Sequence, residues 1–277
     1  MAFVTEDVPP YGVAVPMAQG VRRIVADNPG RMTYHGTNTY LLGGADSVTV
    51  VDPGPEDARH IAAVLAAAGQ IARIVVTHGH HDHVGNLAAL RAATGAPVFA
   101  YDAGLAPDHV LVDGDEVAGW SMLHTPGHAP DHLCLARADG VVLTADHVMG
   151  WSTSVVSPPE GDMAAYFASL RRLLARQDRL YLPGHGPAVT EPSMYARFLL
   201  DHRQGREDAI LLALAAGERD IATLTATLYV GLAEALVPMA RRNVLAHLQK
   251  LVGEGRVSEG PTGWAIRAPS SGPASLG

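Results

Sequence analysis

The stretch Thr77-His78-Gly79-His80-His81-Asp82-His83 contains the pattern His-x-His-x-Asp-His and concentrates imidazoles and a carboxylate in a few residues. Imidazole nitrogen and carboxylate oxygen form a ligand set that suits zinc, and also iron or manganese. The adjacent side chains of Asp82 and His83 must point apart, which favours two neighbouring metals over one. This stretch therefore predicts a metal site.

The segments on either side of this stretch place it in an α/β fold. Residues 71–76 are apolar and rich in β-branched side chains, which predicts a buried strand. Residues 85–93 predict a helix that ends near Gly95. The predicted ligands then lie on a strand-to-helix loop at the carboxyl end of a strand, where α/β sheets usually hold their sites.

Three further ligand candidates also follow predicted strands. His128 comes after the segment 119–125 and a Pro-Gly turn, Asp146 directly follows the segment 141–145, and His185 follows the segment 179–182. A histidine after Pro-Gly is a weak signal alone, since it is more often a turn residue. Four such strand ends in one chain predict a shared site on loops that a rigid scaffold positions.

This ordered set of residues resembles the metallo-β-lactamase superfamily. The resemblance extends to residues 36–42 and 50–54, which are similar to early strands of that family, and it covers about residues 20–190. It implies an α/β fold, the αββα metallo-β-lactamase sandwich, for a hydrolase domain that we assign to residues 1–192.

The resemblance also implies a binuclear centre that holds two Zn²⁺ ions, with iron or manganese as alternatives. The first metal would be bound by His78, His80 and His128, and the second by Asp82, His83 and His185, with Asp146 bridging them and Asp52 orienting a ligand histidine. Two such cations can hold a bridging hydroxide as the nucleophile at ordinary pH. Asp82 is the residue expected to orient it, as a catalytic residue as well as a ligand.

Other residues near these motifs have two interpretations each. His132 is a candidate proton donor to the leaving group, and a structural hydrogen bond explains it equally well. Tyr34, Met149 and Trp151 would give an apolar wall for an acyl or base group, although aromatic residues also anchor loops.

The C-terminal segment changes to helix-forming residues without ligand motifs. Helices are predicted for residues 193–216, 221–229 and 238–251, and short strands for residues 254–257 and 263–266. We therefore assign a small winged-helix domain to residues 193–268. The Ser/Gly/Pro-rich tail, residues 269–277, is predicted to be disordered.

This arrangement is similar to the β-lactamase-like group with a C-terminal winged helix, whose animal members are mitochondrial endoribonucleases acting on single-stranded RNA. The residues that carry this similarity are His202-Arg203, Arg206-Glu207, Arg242-Asn243, His247-Leu248 and Lys250-Leu251. The chemistry also resembles that of hydroxyacylglutathione hydrolase (glyoxalase II).

Charge argues against a simple transfer of nuclease activity. The net charge is −8; residues 193–277 hold nine Lys/Arg and eight Asp/Glu, which leaves 11 against 20 for the rest. Nucleic-acid binding usually needs a strong basic surface. Arg203, Arg206, Arg241 and Arg242 form a candidate basic patch, for which a solvated helix face or a domain contact is the alternative. Winged helices also serve in protein packing, so a homodimer is an alternative use.

Composition limits location and substrate. Cys134 is the only cysteine, the first 20 residues contain no secretory pattern, and no apolar run is long enough to span a bilayer. We expect a cytoplasmic enzyme without membrane partners. Zinc β-lactamases resembling this family are exported, and most place Cys or Ser where Asp146 stands here, so that activity is a poor first hypothesis.

The favoured substrate is therefore a small ester, thioester or lactone, and single-strand endoribonuclease activity is the alternative. A regulatory nucleic-acid-binding module that only senses metal is a third hypothesis. The full ligand set argues against it, since sensing needs no pair of metals around a nucleophile.

Overall fold

The structure, a computed structural model, describes residues 3–44, 46–217 and 219–267, and it contains two packed β-sheets with helices outside them. The predicted disordered tail lies outside the described residues. The first sheet has its strands in chain order: β1 (Val15–Ala18), β2 (Val21–Val25), β3 (Asn38–Leu42), β4 (Val48–Val51), β5 (Ile71–Val75), β6 (Val98–Ala100) and β7 (His109–Val110). The second sheet contains β8 (Glu116–Val117), β9 (Trp120–His124), β10 (Leu133–Ala136), β11 (Val141–Ala145) and β12 (Leu180–Pro183).

Alternation of side chains along the strands builds the layers. In β10, Leu133 and Leu135 face the core between the sheets, while Cys134 and Ala136 face the outer helices. This is the two-residue period expected of a strand buried on both faces. Four helices accompany the sheets: α1 (Ala58–Ala68), α2 (His81–Val84), α3 (Leu87–Thr94) and α4 (Met163–Leu174). Helices α1 and α3 cover the first sheet, and α4 covers the second, which gives the layer order αββα.

Strand direction brings the ligand loops together. Strand β11 is parallel to β12, and β10 is antiparallel to both β9 and β11, so β9, β11 and β12 run the same way. Their carboxyl ends therefore lie at one edge of the second sheet, followed by His128, Asp146 and His185. The loop after β5 brings residues 77–83 from the first sheet to the same place.

The C-terminal domain consists of α5 (Pro192–Ala215), α6 (Ile221–Leu228), α7 (Val237–Gly253), β13 (Val257–Glu259) and β14 (Trp264–Ile266). Helix α5 joins two cores: its residue Leu199 packs with α4, and its residue Leu214 packs with α6 and α7. The boundary predicted after residue 192 falls at the start of α5 and stays a prediction. No helix among the described residues is long and apolar enough to cross a membrane.

The first strand of the predicted hairpin begins later than expected. The sequence predicts a strand over residues 254–257, whereas β13 starts at Val257. Glu254 ends helix α7, and Gly255 has a φ of 71°, a left-handed conformation that glycine adopts without strain. These two residues reverse the chain before the strand can form.

Candidate metal centre

The loop after β5 carries four of the predicted ligands, and a helical turn and a backbone hydrogen bond fix its position. Helix α2 begins at His81, so Asp82 and His83 lie on a helical turn while His80 precedes it. Asp131, which the sequence analysis missed, accepts a hydrogen bond of 2.8 Å from the backbone N–H of Gly79. His81 is exposed to solvent.

The first group of ligand atoms comes from His78, His80, His128 and Asp146. The distance from His78 Nε2 to His80 Nδ1 is 3.1 Å, and His128 Nε2 lies 3.0 Å from the same His80 Nδ1. His128 Nε2 is also 3.5 Å from Asp146 Oδ2. Three imidazoles and one carboxylate oxygen therefore face a common point.

The second group comes from Asp82, His83 and His185. Asp82 Oδ2 lies 3.3 Å from His185 Nε2 and 3.6 Å from His83 Nε2. The other oxygen of Asp146, Oδ1, is 3.3 Å from His185 Nε2 and 3.6 Å from His83 Nε2. Asp146 thus presents one carboxylate oxygen to each group, the arrangement that a bridging ligand requires.

Two observations show that these residues fit a pair of metal ions. Zinc–nitrogen bonds of about 2.0–2.1 Å in tetrahedral geometry put neighbouring ligand atoms roughly 3.3 Å apart, close to the separations in both groups. His83 Nε2 and Asp146 Oδ1 are also buried and have no hydrogen-bond partner among the described residues. Buried polar atoms are nearly always paired, so cations would satisfy atoms that the protein leaves open.

In His128 and His83, the ring nitrogen that does not face the ligand group contacts a neighbouring acceptor, and this contact orients the nitrogen that does. His128 Nδ1 donates to the carbonyl of Val155 at 2.7 Å, and His83 Nδ1 lies 2.9 Å from Asp52 Oδ2. Asp52 also accepts hydrogen bonds from the N–H and the hydroxyl of Thr77, at 2.8 and 2.7 Å. A proton on Nδ1 leaves the Nε2 lone pair free for a metal. Asp52 therefore makes the contact expected of a residue that orients a ligand.

Burial and the neighbouring carboxylates shift the pKa values of the histidines in this centre in opposite directions. Burial lowers the pKa values of His78 and His128, which keeps both rings neutral and able to bind metal. At His185 burial also disfavours the charged form, but the carboxylates of Asp146 and Asp82 outweigh it and raise the pKa of His185 to about 10. Without metal, the second group therefore holds a proton that a cation must displace.

Both groups open into a cavity of about 490 Å³. His80, Asp82, His128, Asp146 and His185 line its metal side. The facing wall is formed by residues of the C-terminal domain: Tyr229, Leu232, Leu236, Met239, Ala240, Arg242 and Asn243. No sequence motif places these residues at the site, and only Arg242-Asn243 belongs to the resemblance to the winged-helix group.

The predicted catalytic role of His132 does not fit its position. Its side chain is fully buried beneath the ligands, its Nε2 accepts a hydrogen bond of 3.2 Å from the backbone N–H of Asp146, and its Nδ1 lies 3.0 Å from Thr125 Oγ1. Both ring nitrogens are occupied and neither reaches the cavity. His132 supports the strand end that carries Asp146.

The predicted substrate wall is present in part. Met149 and Trp151 line the cavity, but Tyr34 does not. Tyr34 stacks on Trp151 with ring centres 5.0 Å apart, so it supports the Trp151 side chain without lining the cavity itself. The neighbouring residues Arg31 and Met32 line the cavity instead.

Comparison with known proteins identifies the family. Residues 32–109 match the metallo-beta-lactamase superfamily, and residues 221–264 match the beta-lactamase associated winged helix domain. The chain is 33% identical over 270 residues to the beta-lactamase-like protein 2 homolog of Drosophila melanogaster, covering 87% of this chain and 90% of that protein. The chain belongs to the metallo-β-lactamase superfamily.

Two further proteins are similar to this chain, one in sequence and one in structure. The chain is 32% identical over 237 residues to an atrochrysone carboxyl ACP thioesterase of Aspergillus fumigatus, covering 79% of this chain and 71% of that protein. The crystal structure of a beta-lactamase domain protein from Burkholderia ambifaria covers 94% of this chain and 95% of its own, with 22% identity and a TM-score of 0.80. The predicted sandwich with a small winged-helix domain is confirmed, in a superfamily of hydrolase-like enzymes that bind divalent metals.

Proposed function

We propose that this chain is a binuclear zinc hydrolase that cleaves a small acyl substrate, with a thioester favoured over an ester or lactone. One observation carries the proposal: two ligand groups joined by Asp146 open into a cavity whose walls are largely apolar. Met149 and Trp151 on one side, and Leu236 and Met239 on the other, would surround an acyl group. Pockets of this kind combine apolar walls with a few polar groups that fix orientation.

Bound metals would supply Lewis acidity and acidify a water molecule. The chain's own residues would prepare the reaction around that centre. Asp82, with 30% of its side chain exposed, is the ligand carboxylate best placed to accept a proton from the nucleophile. Thr37 Oγ1 donates to Asp82 Oδ2 at 3.2 Å and holds it in that orientation. Neither Ser–His–Asp nor Cys–His chemistry is needed.

The relative from Aspergillus fumigatus supports the thioester among the acyl substrates, because it is named as an ACP thioesterase. Cys134 is not an alternative nucleophile, since burial raises the pKa of its thiol to about 12. Zinc over iron or manganese, the cytoplasmic location and a homodimer stay predictions.

Hydrolysis assays on the zinc-loaded protein test this proposal. We expect turnover of an acyl thioester, and loss of that turnover in Asp82→Ala. Asp208→Ala is a matched control, because Asp208 is an exposed aspartate on α5 away from the centre. Absence of thioester, ester and lactone hydrolysis in protein that holds two metals would reject the proposed substrate class.

Single-strand endoribonuclease activity is the second candidate, favoured by Arg31 and Arg242 at the cavity. Cleavage of a single-stranded oligoribonucleotide would then fall steeply with salt, because phosphate contacts release counterions. It would also fall in Arg242→Gln. Tight duplex binding without any turnover would instead support the regulatory hypothesis.

A further inference from the structure

We propose that the cavity contains an anion-binding subsite, formed by Arg31, Arg203 and Arg242, for a phosphate or carboxylate group on the thiol part of an acyl thioester. The inference rests on the proposed thioester hydrolysis and adds the charge that the substrate carries. The subsite lies beside the candidate metal centre in the same cavity, and three different segments of the chain contribute to it.

Arg203 on α5 is a buried cation without a carboxylate partner. Its side chain lines the cavity although the residue is only 3% exposed. One guanidinium nitrogen donates to the carbonyl of Ser154, and the group lies over the Tyr166 ring at 5.5 Å. Within the part of the chain that the structure describes, Nε has no hydrogen-bond partner. Among the described residues, no acid lies within ion-pair distance. A buried guanidinium in this state is costly, and an anionic ligand would supply the missing countercharge.

The side chains around Arg203 also favour an anion. Arg31 and Arg242 are exposed, line the cavity, and form no ion pair with any carboxylate that the structure describes. Apart from the candidate metal ligands, Glu160 is the one acidic residue in the described lining. Three arginines against Glu160, Asp82 and Asp146 leave this lining neutral, in a chain whose net charge is −8; with the two aspartates engaged by metal, the rest of the lining carries +2. This reversal of sign matches a small anionic ligand.

The subsite is connected to the reacting centre through Ser154. Ser154 accepts from Arg203 with its carbonyl and donates from its hydroxyl to the backbone carbonyl of Asp146. A group held by Arg203 therefore lies next to the loop of the bridging carboxylate. The thiol parts of common biological thioesters are anionic, with a phosphate in 4′-phosphopantetheine and carboxylates in glutathione. Either anion pairs well with the planar donors of arginine.

The test compares acyl thioesters whose thiol parts are uncharged or anionic. Acetyl thioesters of pantetheine, 4′-phosphopantetheine and glutathione are assayed with the zinc-loaded protein. We expect KM to be about 10-fold or more lower for at least one anionic thioester than for acetyl-pantetheine, the size of a charge-assisted hydrogen bond. Preference for the phosphopantetheine thioester assigns phosphate to the subsite, and preference for the glutathione thioester assigns carboxylate.

Variants locate the preference within the cavity. Arg242→Gln should bring the ratio of the KM for acetyl-pantetheine to the KM for the preferred anionic thioester towards one. Arg241→Gln changes an exposed neighbour outside the cavity lining and should leave that ratio unchanged. Arg203→Gln should also reduce the ratio. Because this residue is buried, Arg203→Lys, which retains the charge, and a circular dichroism spectrum show whether a loss reflects binding or misfolding.

A binding measurement separates this inference from the proposed function. Calorimetry compares 4′-phosphopantetheine with pantetheine, which share the thiol and differ in the phosphate, and glutathione with its dialkyl ester, which lacks the carboxylates. Tighter binding of an anionic thiol, lost in Arg242→Gln, supports the subsite even if no thioester is hydrolysed. Equal affinity within both pairs overturns it, whatever the turnover. It is also overturned if single-stranded RNA alone depends on Arg242, since the arginines then serve a nucleic-acid backbone.

Discussion

The candidate metal centre and a second buried cluster, formed by Glu207, His247 and Lys250, contain similar residue types but satisfy them differently. In the second cluster, which we call the Glu207 cluster, both carboxylate oxygens have donors: His247 Nδ1 at 3.2 Å and Lys250 Nζ at 2.9 Å. In the candidate metal centre, His83 Nε2 and the carboxylate oxygen Asp146 Oδ1 have no hydrogen-bond partner among the described residues, whereas in the Glu207 cluster this holds only for the ring atom His247 Nε2.

The difference shows that a high density of histidines and carboxylates does not by itself indicate a metal site. The Glu207 cluster brings its own cation, Lys250, so its carboxylate is neutralised by the protein. The candidate metal centre has two carboxylates and no lysine or arginine among its ligand groups, and its ligand atoms lie at separations that suit a shared cation. We therefore expect changes in the first region to alter metal content, and changes in the second to alter stability.

The largest effect should follow removal of the bridging carboxylate. Asp146→Ala takes one ligand atom from each group, so we expect metal content to fall from about two per chain to one or fewer. Hydrolysis should fall by more than about 100-fold, since even outer partners of a ligand are worth 10- to 100-fold. Elemental analysis of zinc-loaded protein measures this. Glu207→Gln is the control and should retain both metals; equal metal content in all three proteins contradicts the assignment.

The next effect concerns the Glu207 cluster. Glu207→Ala leaves the charge of Lys250, 6% exposed, without its buried partner, and should lower the free energy of unfolding by about 3–5 kcal/mol. Glu254, the other partner of Lys250, is 40% exposed, so Glu254→Ala should cost less than about 1 kcal/mol. Urea unfolding of both variants measures this difference. Similar losses would show that Glu207 contributes no more than a surface ion pair.

Sequence alone predicted most of the helices and strands, and the residues proposed as ligands lie together in the structure. This grouping has a local cause: four of these residues fall within residues 77–83, and His128, Asp146 and His185 each follow an apolar strand. Such patterns depend on neighbours in the chain, and the resemblance to a family supplied the pairing of ligands into two groups.

The opposite wall of the cavity has no such local signal. Met239 and Arg242 reach it because α5 packs its N-terminal half on one core and its C-terminal half on the other, and this docking depends on the packing of side chains far apart in sequence. Tyr34 was predicted at the cavity and instead lies behind Trp151, because a stacking contact hides it. An aromatic residue close in sequence to a site motif is expected near the site, but the direction in which its side chain points depends on tertiary packing.

One histidine of each region, His185 and His247, should contribute to the pH dependence of stability with opposite signs in metal-free protein. The pKa of His185 is raised to about 10, so its contribution is complete below pH 6.5 and is lost as pH rises from 6.5 to 10. Burial lowers the pKa of His247 to about 4, so stability is lost as pH falls from 6.5 to 4. These two losses of stability, the alkaline and the acid limb of the stability curve, should each be on the order of 3–5 kcal/mol.

Thermal or urea unfolding across pH 4–10 measures both limbs. His247→Gln should make the acid limb shallower and leave the alkaline limb unchanged; the rest of the acid limb comes from other buried histidines, such as His60 and His147, whose pKa values burial also lowers. Zinc should reverse the alkaline limb, because metal binding requires neutral imidazoles and improves as the proton on His185 leaves. An alkaline limb that persists unchanged with zinc would contradict metal binding at His185.

The smallest effect tests the orientation of a ligand. In Asp52→Asn, the amide nitrogen would face His83 Nδ1 and force the ring proton onto Nε2, the atom that otherwise faces the second group. We expect zinc affinity at that group to fall by about 10- to 100-fold, measured by competition with a chelator. Asp57→Asn is the matched control, because Asp57 caps α1 and asparagine caps a helix equally well. If Asp52→Asn binds zinc as tightly as Asp57→Asn, then Asp52 serves the fold of the loop, through Thr77, and does not select the tautomer of His83.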